Sequence, residues 1–403
     1  DISGDIDDGG SATVSISGFA IDGASGVGVR ISSSTMLSAL EITDSAFSNN
    51  GTHGVGSGSG APGLGSISIS NSTFENNGQG GSNGAGDIVL FGFTGDATIE
   101  DVSITSSATE GTAVSARGDN AIQISGYDPS TYDVQGAIGN VTLNNVTVDG
   151  WYHKPQLAIQ GYTDFNGLTL TGVDLTGGTS WGDLLFIDPI GSSGQDAPGN
   201  SGYPGNFPLT GGSSDLDLSG VTVNSGSTSV LGVDSRVRGT DADDSIAGTN
   251  GADLLNDFAE GGYDYGGDDT VRGLGGDDIL IGGAGADLLE GGDGNDRLHG
   301  QDGGDTLNGG KHDDTITGGD GDDLFIFQLD DGNDVFSDFV AGAVTNDIIE
   351  LSGFGAAFDT FAEVIAAASD DGAHTTIDFG GGDTLTLLNV VVADLHESDF
   401  TFS

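Results

Sequence analysis

The residues whose type and spacing suggest chemistry are aspartates that recur every nine positions. They are Asp269, Asp278, Asp287, Asp296, Asp305, Asp314 and Asp323, each the sixth residue of a unit in an unbroken run from Asp264 to Ile326. Two positions after each stands an apolar residue: Val271, Leu280, Leu289, Leu298, Leu307, Ile316 and Phe325. Two further copies, Gly239 to Ala247 and Gly248 to Asn256, contribute Asp244 and Asp253 before a spacer. Carboxylates repeated this way, with glycine-rich turns between them, are suited to holding hard divalent cations through oxygen alone, and Ca²⁺ fits such a flexible geometry.

The elements that must position them follow from the spacing. The pattern of aspartate, any residue, apolar residue is a very short strand whose side chains alternate, so the apolar member points inward. The glycine-rich half turns tightly, since glycine tolerates the positive φ such turns need. Two units then make one coil, and units eighteen residues apart stack. This places Asp269, Asp287, Asp305 and Asp323 in one column and Asp278, Asp296 and Asp314 in the other. Like charges so aligned in a partly desolvated turn require neutralisation, which several bound Ca²⁺ ions supply. A disordered acidic linker would not keep an apolar residue in step over the run.

The run resembles the repeats-in-toxin family, whose consensus GGxGxDxUx is matched in full at Gly282 to Glu290, Gly291 to His299 and Gly318 to Ile326. The resemblance covers roughly a quarter of the chain. It implies a parallel β-roll with Ca²⁺ between stacked turns, held by Asp244, Asp253, Asp269, Asp278, Asp287, Asp296, Asp305, Asp314 and Asp323. Asp264 and Tyr265 replace the opening glycines of one unit and His312 replaces a fourth-position glycine, which is expected to weaken those turns.

Composition narrows the partners. The chain has 403 residues, 75 glycines, no cysteine and a formal net charge of −54. That charge excludes nucleic acid as a natural partner and disfavours docking on anionic membrane. No apolar run approaches the roughly 20 residues of a membrane span. The start at Asp1, without Met or a signal sequence, reads as a processed form or a fragment, with unpaired backbone at an uncapped first coil inviting further copies of the chain. The tail from Asp394 to Ser403, with Phe400 and Phe402 after an acidic residue, looks like the C-terminal signal of type I secretion substrates, against the plainer alternative of a final strand. Export to the cell exterior or cell surface is the expectation.

Residues 1 to 230 carry a longer repeat. Apolar residues recur at i, i+2, i+5 and i+7 in copies that begin at 14, 40, 67, 97, 141, 168 and 216, with Ser45 and Ser72 at the third place of two copies. Each copy reads as two short strands joined by a bend. A third face appears at Val27 to Ile31, Ile88 to Phe91, Ile122 to Ile124, Leu157 to Ile159 and Leu184 to Ile187. Spacings near 27 suit one coil of a three-faced parallel β-helix, and a sandwich, with turns every 8 to 12 residues, fits less well. Asn49, Asn50 and Asn76, Asn77 hold matching turn positions where side chains could bond along the axis. The segment Asp188 to Gly212 is a long Pro-rich loop. After the acidic run, short closing strands and one helix at Phe361 to Ala368 form a cap. The expected fold class is therefore all-β: a right-handed parallel β-helix at 1–235, a Ca²⁺-binding parallel β-roll at 236–326, and a small β-rich C-terminal cap with the secretion signal at 327–403.

Parallel β-helices with such repeats appended resemble secreted mannuronan epimerases and polysaccharide lyases. The resemblance implies abstraction of the proton α to a uronate carboxylate, which needs an acid, a base and a cationic clamp. The candidates are Tyr152, His153 and Lys154, beside Trp151, with Arg117 on an adjacent coil. The epimerase signature of Asp-Pro-His-Glu is absent, since Tyr127, Asp128 and Pro129 are followed by Ser130 and Thr131. A non-catalytic turn is favoured. The expected function is a secreted calcium-binding β-solenoid, structural or adhesive, meeting surface polysaccharide or its own copies; the alternative is a lyase or epimerase.

Overall fold

The computed structural model describes residues 13–31, 36–57, 63–78, 86–108, 120–128, 133–134, 138–152, 156–160, 165–179, 185–188, 215–217, 221–225, 235–237, 245–255, 267–342 and 347–403. The chain divides into two compact units, 1–211 with 217–238, and 212–216 with 239–403.

In the first unit every coil repeats the same path. Strands Thr13–Ser17, Ala39–Thr43, Ser66–Ser70, Asp96–Thr105, Ile138–Tyr152, Phe165–Thr179 and Val221–Ser225 stack in parallel, and the last four join two faces of a coil or continue that stack. The inward residues fall in register, as in Ile16, Ile42, Ile69, Ile99 and Leu143, all buried. The bend sits at one place in each coil, four residues after the start of the apolar pattern. There Gly18, Asp44, Asn71, Asp101, Asn145 and Gly172 all take positive φ, between 47° and 71°. Asn, Asp and Gly are the residues that enter this region at least cost. The third face is the parallel stack Val27–Ile31, His53–Ser57, Gly86–Phe91, Asn120–Ser125, Leu157–Gln160, Leu185–Asp188 and Ser235–Val237.

Ser45, Asn50 and Ser72 inside the coils bond to neighbouring turns. The Ser45 hydroxyl donates to the Thr43 carbonyl at 2.8 Å and accepts the Phe19 N–H at 3.3 Å, while Ser72 accepts the Ser45 N–H at 3.1 Å. Asn50 donates to Asn77 Oδ1 at 2.8 Å, so the expected asparagine ladder forms. One position departs from the apolar template: Phe19 is 54 % exposed. It starts its stack with Ser45 as its neighbour, and a small polar side chain gives the ring little apolar surface to cover. The loop 189–212 lies outside the described residues.

In the second unit two parallel stacks face each other. One runs through Ser245–Ala247, Thr270–Gly275, Leu288–Asp293, Thr306–Lys311, Leu324–Gln328, Ile348–Ser352 and Phe400–Phe402. The other runs through Asp253–Leu255, Ile279–Ala284, Arg297–Asp302, Thr315–Asp320, Asn333–Phe336 and Asp383–Leu387, then turns antiparallel into Thr375–Gly380 and Ala368–Asp370. Register advances by eighteen residues, aligning Val271, Leu289, Leu307 and Phe325 in one column and Leu280, Leu298 and Ile316 in the other. All seven are 0 % exposed, and each such burial contributes about 1.5–3 kcal/mol.

The chain closes on this core. Helix Phe361–Ala367 starts at Thr360, whose hydroxyl donates to Glu363 Oε2 at 2.7 Å in a capping box. Phe400–Phe402 pairs in parallel with Ile349–Leu351, so the tail segment is a strand at the end of a stack.

Candidate metal centre

Each aspartate of the run is held by the turn beneath it. The backbone N–H of Asp269 donates to Asp287 Oδ1 at 2.7 Å, that of Asp287 to Asp305 at 2.9 Å, and that of Asp305 to Asp323 at 2.9 Å. In the second column Asp253 donates to Asp278 at 2.7 Å, Asp278 to Asp296 at 2.8 Å, and Asp296 to Asp314 at 2.8 Å. The structure thus gathers eight of the nine expected aspartates into the two expected columns; Asp244 lies outside the described residues. Thr249 adds its hydroxyl to Asp253 Oδ1 at 2.9 Å, which secures the first described turn.

The other carboxylate oxygen is what matters for a cation. Oδ2 of Asp278, Asp287, Asp296, Asp305 and Asp314 is buried without a hydrogen-bond partner. A buried acceptor left unpaired is costly, and an ionised one more so. The surroundings offer no donor but a second acceptor. A Cβ built on Gly282 would overlap Asp287 Oδ2 and stand 2.6 Å from the Gly300 carbonyl oxygen. The same pairing of an aspartate Oδ2 with a glycine carbonyl surrounds Gly248, Gly273, Gly291 and Gly300. Glycine opens each of these units because its bare face leaves a cradle between two oxygens. An oxygen-only cradle with an orphaned carboxylate fits Ca²⁺, whose oxygen ligands include carboxylates and backbone carbonyls. Among the described residues no three His, Cys, Asp or Glu side chains close on one point, so ligation in these turns depends on the backbone carbonyls.

Burial also moves the acids. Desolvation, the largest cause throughout, pushes Asp278 up to about 9, Asp314 up to about 7, and Asp287, Asp296, Asp305 and Asp323 up to about 6. For Asp278 the neighbouring Asp253 carboxylate adds to it. These carboxyls are held in a place where only a proton or a cation settles their charge.

A substitution tests the cradle. Gly291 does not occupy the left-handed region, whereas its neighbour Gly292 has φ +116°. Gly291→Ala carries no φ penalty, but its methyl group would fill the cradle by pressing on Asp296 Oδ2 and the Gly309 carbonyl oxygen, so the turn must give way to admit it. Bound calcium at saturation, counted by equilibrium dialysis, should fall by one ion; an unchanged count would place the ion elsewhere.

Two residues that continue the columns were missed in the sequence. The Asp314 N–H donates to Asp334 Oδ1 at 3.1 Å, and the Asp323 N–H donates to Asp347 Oδ1 at 3.2 Å. Asp347 is already satisfied, since its Oδ2 accepts the Val340 N–H at 2.8 Å. Asp334 is not, and its Oδ2 is a further buried orphan. The available signal was the aspartate, valine and phenylalanine of 334–336, displaced by the two extra residues Phe327 and Gln328 and lacking opening glycines.

The other candidate cluster looks different. Tyr152 is 1 % exposed and its hydroxyl donates to Asp87 Oδ2 at 3.0 Å. Asp87 Oδ1 accepts the Asn77 amide at 2.8 Å, which joins this pair to the asparagine ladder. Burial pushes Asp87 up to about 7 and raises Tyr152 well above its ordinary value. Tyr152 therefore faces the interior of the coils. His153, Lys154 and Arg117 lie outside the described residues.

Comparison with known proteins agrees with this architecture. The model of the RTX calcium-binding nonapeptide repeat matches in four copies, at residues 234–259, 263–298, 290–325 and 299–336. The model of the right-handed β-helix region matches residues 6–126. A search of curated proteins finds no match. Among solved structures, the extracellular lipase LipA from Serratia marcescens is similar at 19 % identity, over 42 % of this chain and 40 % of that one, with a TM-score of 0.23. This chain spans less than half of that structure, and so loose a superposition bears on neither fold nor activity. The aspartate columns at 253–323 are thus those of RTX calcium-binding nonapeptide repeats, carried by a chain that also contains a right-handed β-helix region.

Proposed function

We propose that the protein is a secreted β-solenoid that folds fully only in extracellular calcium, with its β-helix as a scaffold or adhesive module at the cell surface or in the extracellular matrix. The carrying observation is the double column of buried aspartates, in which Asp278, Asp287, Asp296, Asp305 and Asp314 each accept a backbone N–H of the neighbouring turn on one oxygen and bury the other without a partner. Sites built from one carboxylate and carbonyls belong to the weaker range of calcium affinities, which fill outside cells and stay empty in the cytosol. An open chain in low calcium suits export. Rows of polar side chains on the outer sheet of the β-helix, such as Ser68, Thr98, Thr142 and Thr169 in register, support contact with surface polysaccharide.

The competing lyase or epimerase reading needs an acid, a base and a clamp on one accessible face. Tyr152, one of its candidates, is buried with its hydroxyl bonded to Asp87, which supports the non-catalytic reading. A polyuronate would also approach a chain of net charge −54. Alginate and pectate should therefore give neither unsaturated product by absorbance nor epimerised residues by NMR. Robust turnover that Lys154→Ala abolishes would overturn the structural reading.

A further inference from the structure

The asparagine ladder of the first unit ends on an acid. Each rung accepts from the one before it: the Ala24 N–H donates to Asn50 Oδ1 at 3.0 Å, and Asn50 donates to Asn77 Oδ1 through its backbone N–H at 3.2 Å and its side chain at 2.8 Å. Asn77 repeats both bonds one step on, its side chain donating to Asp87 Oδ1 at 2.8 Å and its backbone N–H also reaching the Asp87 carboxyl. Asp87 therefore holds the place of a third asparagine. An amide there would have a hydrogen of its own to pass on, whereas a carboxylate only accepts.

This end of the ladder is shut off from water. Asp87 is 1 % exposed, and Tyr152, whose hydroxyl closes on Asp87 Oδ2 at 3.0 Å, is equally buried. Among the described residues no ion pair reaches Asp87. Its strand, Gly86–Phe91, lies between His53–Ser57 and Asn120–Ser125. The titratable groups on the elements packed around it are His53, in register with Gly86, the exposed Glu75 and Asp149, and Tyr152 itself. A buried carboxylate with hydrogen bonds but no cation keeps most of the cost of leaving water, and taking up a proton removes that cost.

We propose that Asp87 is a proton-operated catch on the β-helix: as the neutral acid it donates to the Tyr152 oxygen and completes the ladder, and as the carboxylate it places an uncompensated charge between the coils and loosens them. The catch is independent of calcium, since no residue of the roll takes part in it. Burial sets its direction, holding Asp87 up at about 7 against about 3.9 for an aspartate in an unfolded chain. The stability it contributes is fully present below the unfolded value and is lost as pH rises through about 7. The β-helix is then firmest in mildly acidic solution, and in alkaline solution it gives first around Asn77, Asp87 and Tyr152.

Both tryptophans, Trp151 and Trp181, belong to the first unit, so their fluorescence in the full chain, kept in millimolar calcium, follows unfolding of the β-helix alone. Urea unfolding between pH 5.5 and 8.5 should give an unfolding constant that rises about tenfold per pH unit below 7 and levels off above it. Asp87→Asn, which keeps the shape of the neutral acid, should flatten this rise and be the more stable chain at pH 8.5, while His53→Gln should leave the rise in place. Infrared difference spectra of the folded chain against Asp87→Asn should show a protonated carboxyl band at pH 5.5 that is gone at pH 8.5. Absence of that band overturns the proposal, as does an Asp87→Asn chain that keeps the original dependence or is less stable or unfolded at pH 8.5. A dependence that His53→Gln abolishes also overturns it, by assigning the proton to the imidazole.

Discussion

Removal of calcium should unfold the second unit and leave the first standing. The four cradles at Gly273, Gly282, Gly291 and Gly300, each facing an unpartnered aspartate oxygen, set the size of the effect. A site filled at about ten times Kd contributes roughly 1.4 kcal/mol, so four contribute about 6 kcal/mol, which is comparable to the whole stability of a domain. Loss of the ions also leaves the buried oxygens of Asp278, Asp287, Asp296, Asp305 and Asp314 without any partner. Circular dichroism of the full chain in chelator should lose a large part of its β signal, and the remainder, from the β-helix, should melt in a separate transition. In millimolar calcium the lost signal should return. Identical spectra and melting curves with and without calcium would sink the idea.

Acid should replace calcium. The aspartates of the columns are raised from the ordinary range, to about 6 at Asp287, Asp296, Asp305 and Asp323, about 7 at Asp314 and about 9 at Asp278. A carboxyl whose folded value exceeds its unfolded one, about 3.9, favours the folded state while protonated. That stability is fully present below the unfolded value and disappears as pH rises through about 6 to 9. In chelator the roll should therefore keep more of its β signal at pH 5.5 than at pH 8.5, and both values lie above the sequence pI of about 4.1, which keeps the chain soluble. Calcium works in the opposite direction, since its ligands must be deprotonated, so the added stability it gives should grow with pH. Asp278→Asn removes the most strongly shifted group and should flatten the metal-free dependence. Metal-free stability that rises from pH 5.5 to 8.5 would show that these carboxyls are not desolvated as described.

The columns themselves were legible before any coordinates. Strict spacing of nine, aspartate at the sixth place and an apolar residue at the eighth leave one arrangement that buries the apolar set, so Asp253 to Asp323 and Val271 to Phe325 fall where the pattern puts them. The β-helix copies were legible for the same reason, and their common bend shows as Asp, Asn or Gly at one place in each coil. Phe19 and Tyr152 were not. An apolar template says which side of a strand is inside, but it does not show that Phe19, beside Ser45 in the next coil, is 54 % exposed. The fate of Tyr152 depends on Asp87, which lies 65 residues away in sequence.

What the sequence determined by itself is everything set by a period: the two solenoid patterns, the stacking interval of eighteen residues, and the oxygen-rich chemistry of the turns. Tertiary structure alone decided what happens where the period fails. The two-residue insertion at Phe327 and Gln328 breaks the nine-residue frame, yet stacking carries Asp334 and Asp347 back under the columns. Hydrogen bonds along a solenoid are made between neighbouring coils rather than neighbouring residues, so a carboxylate keeps its place in the ladder even when its place in the count is lost.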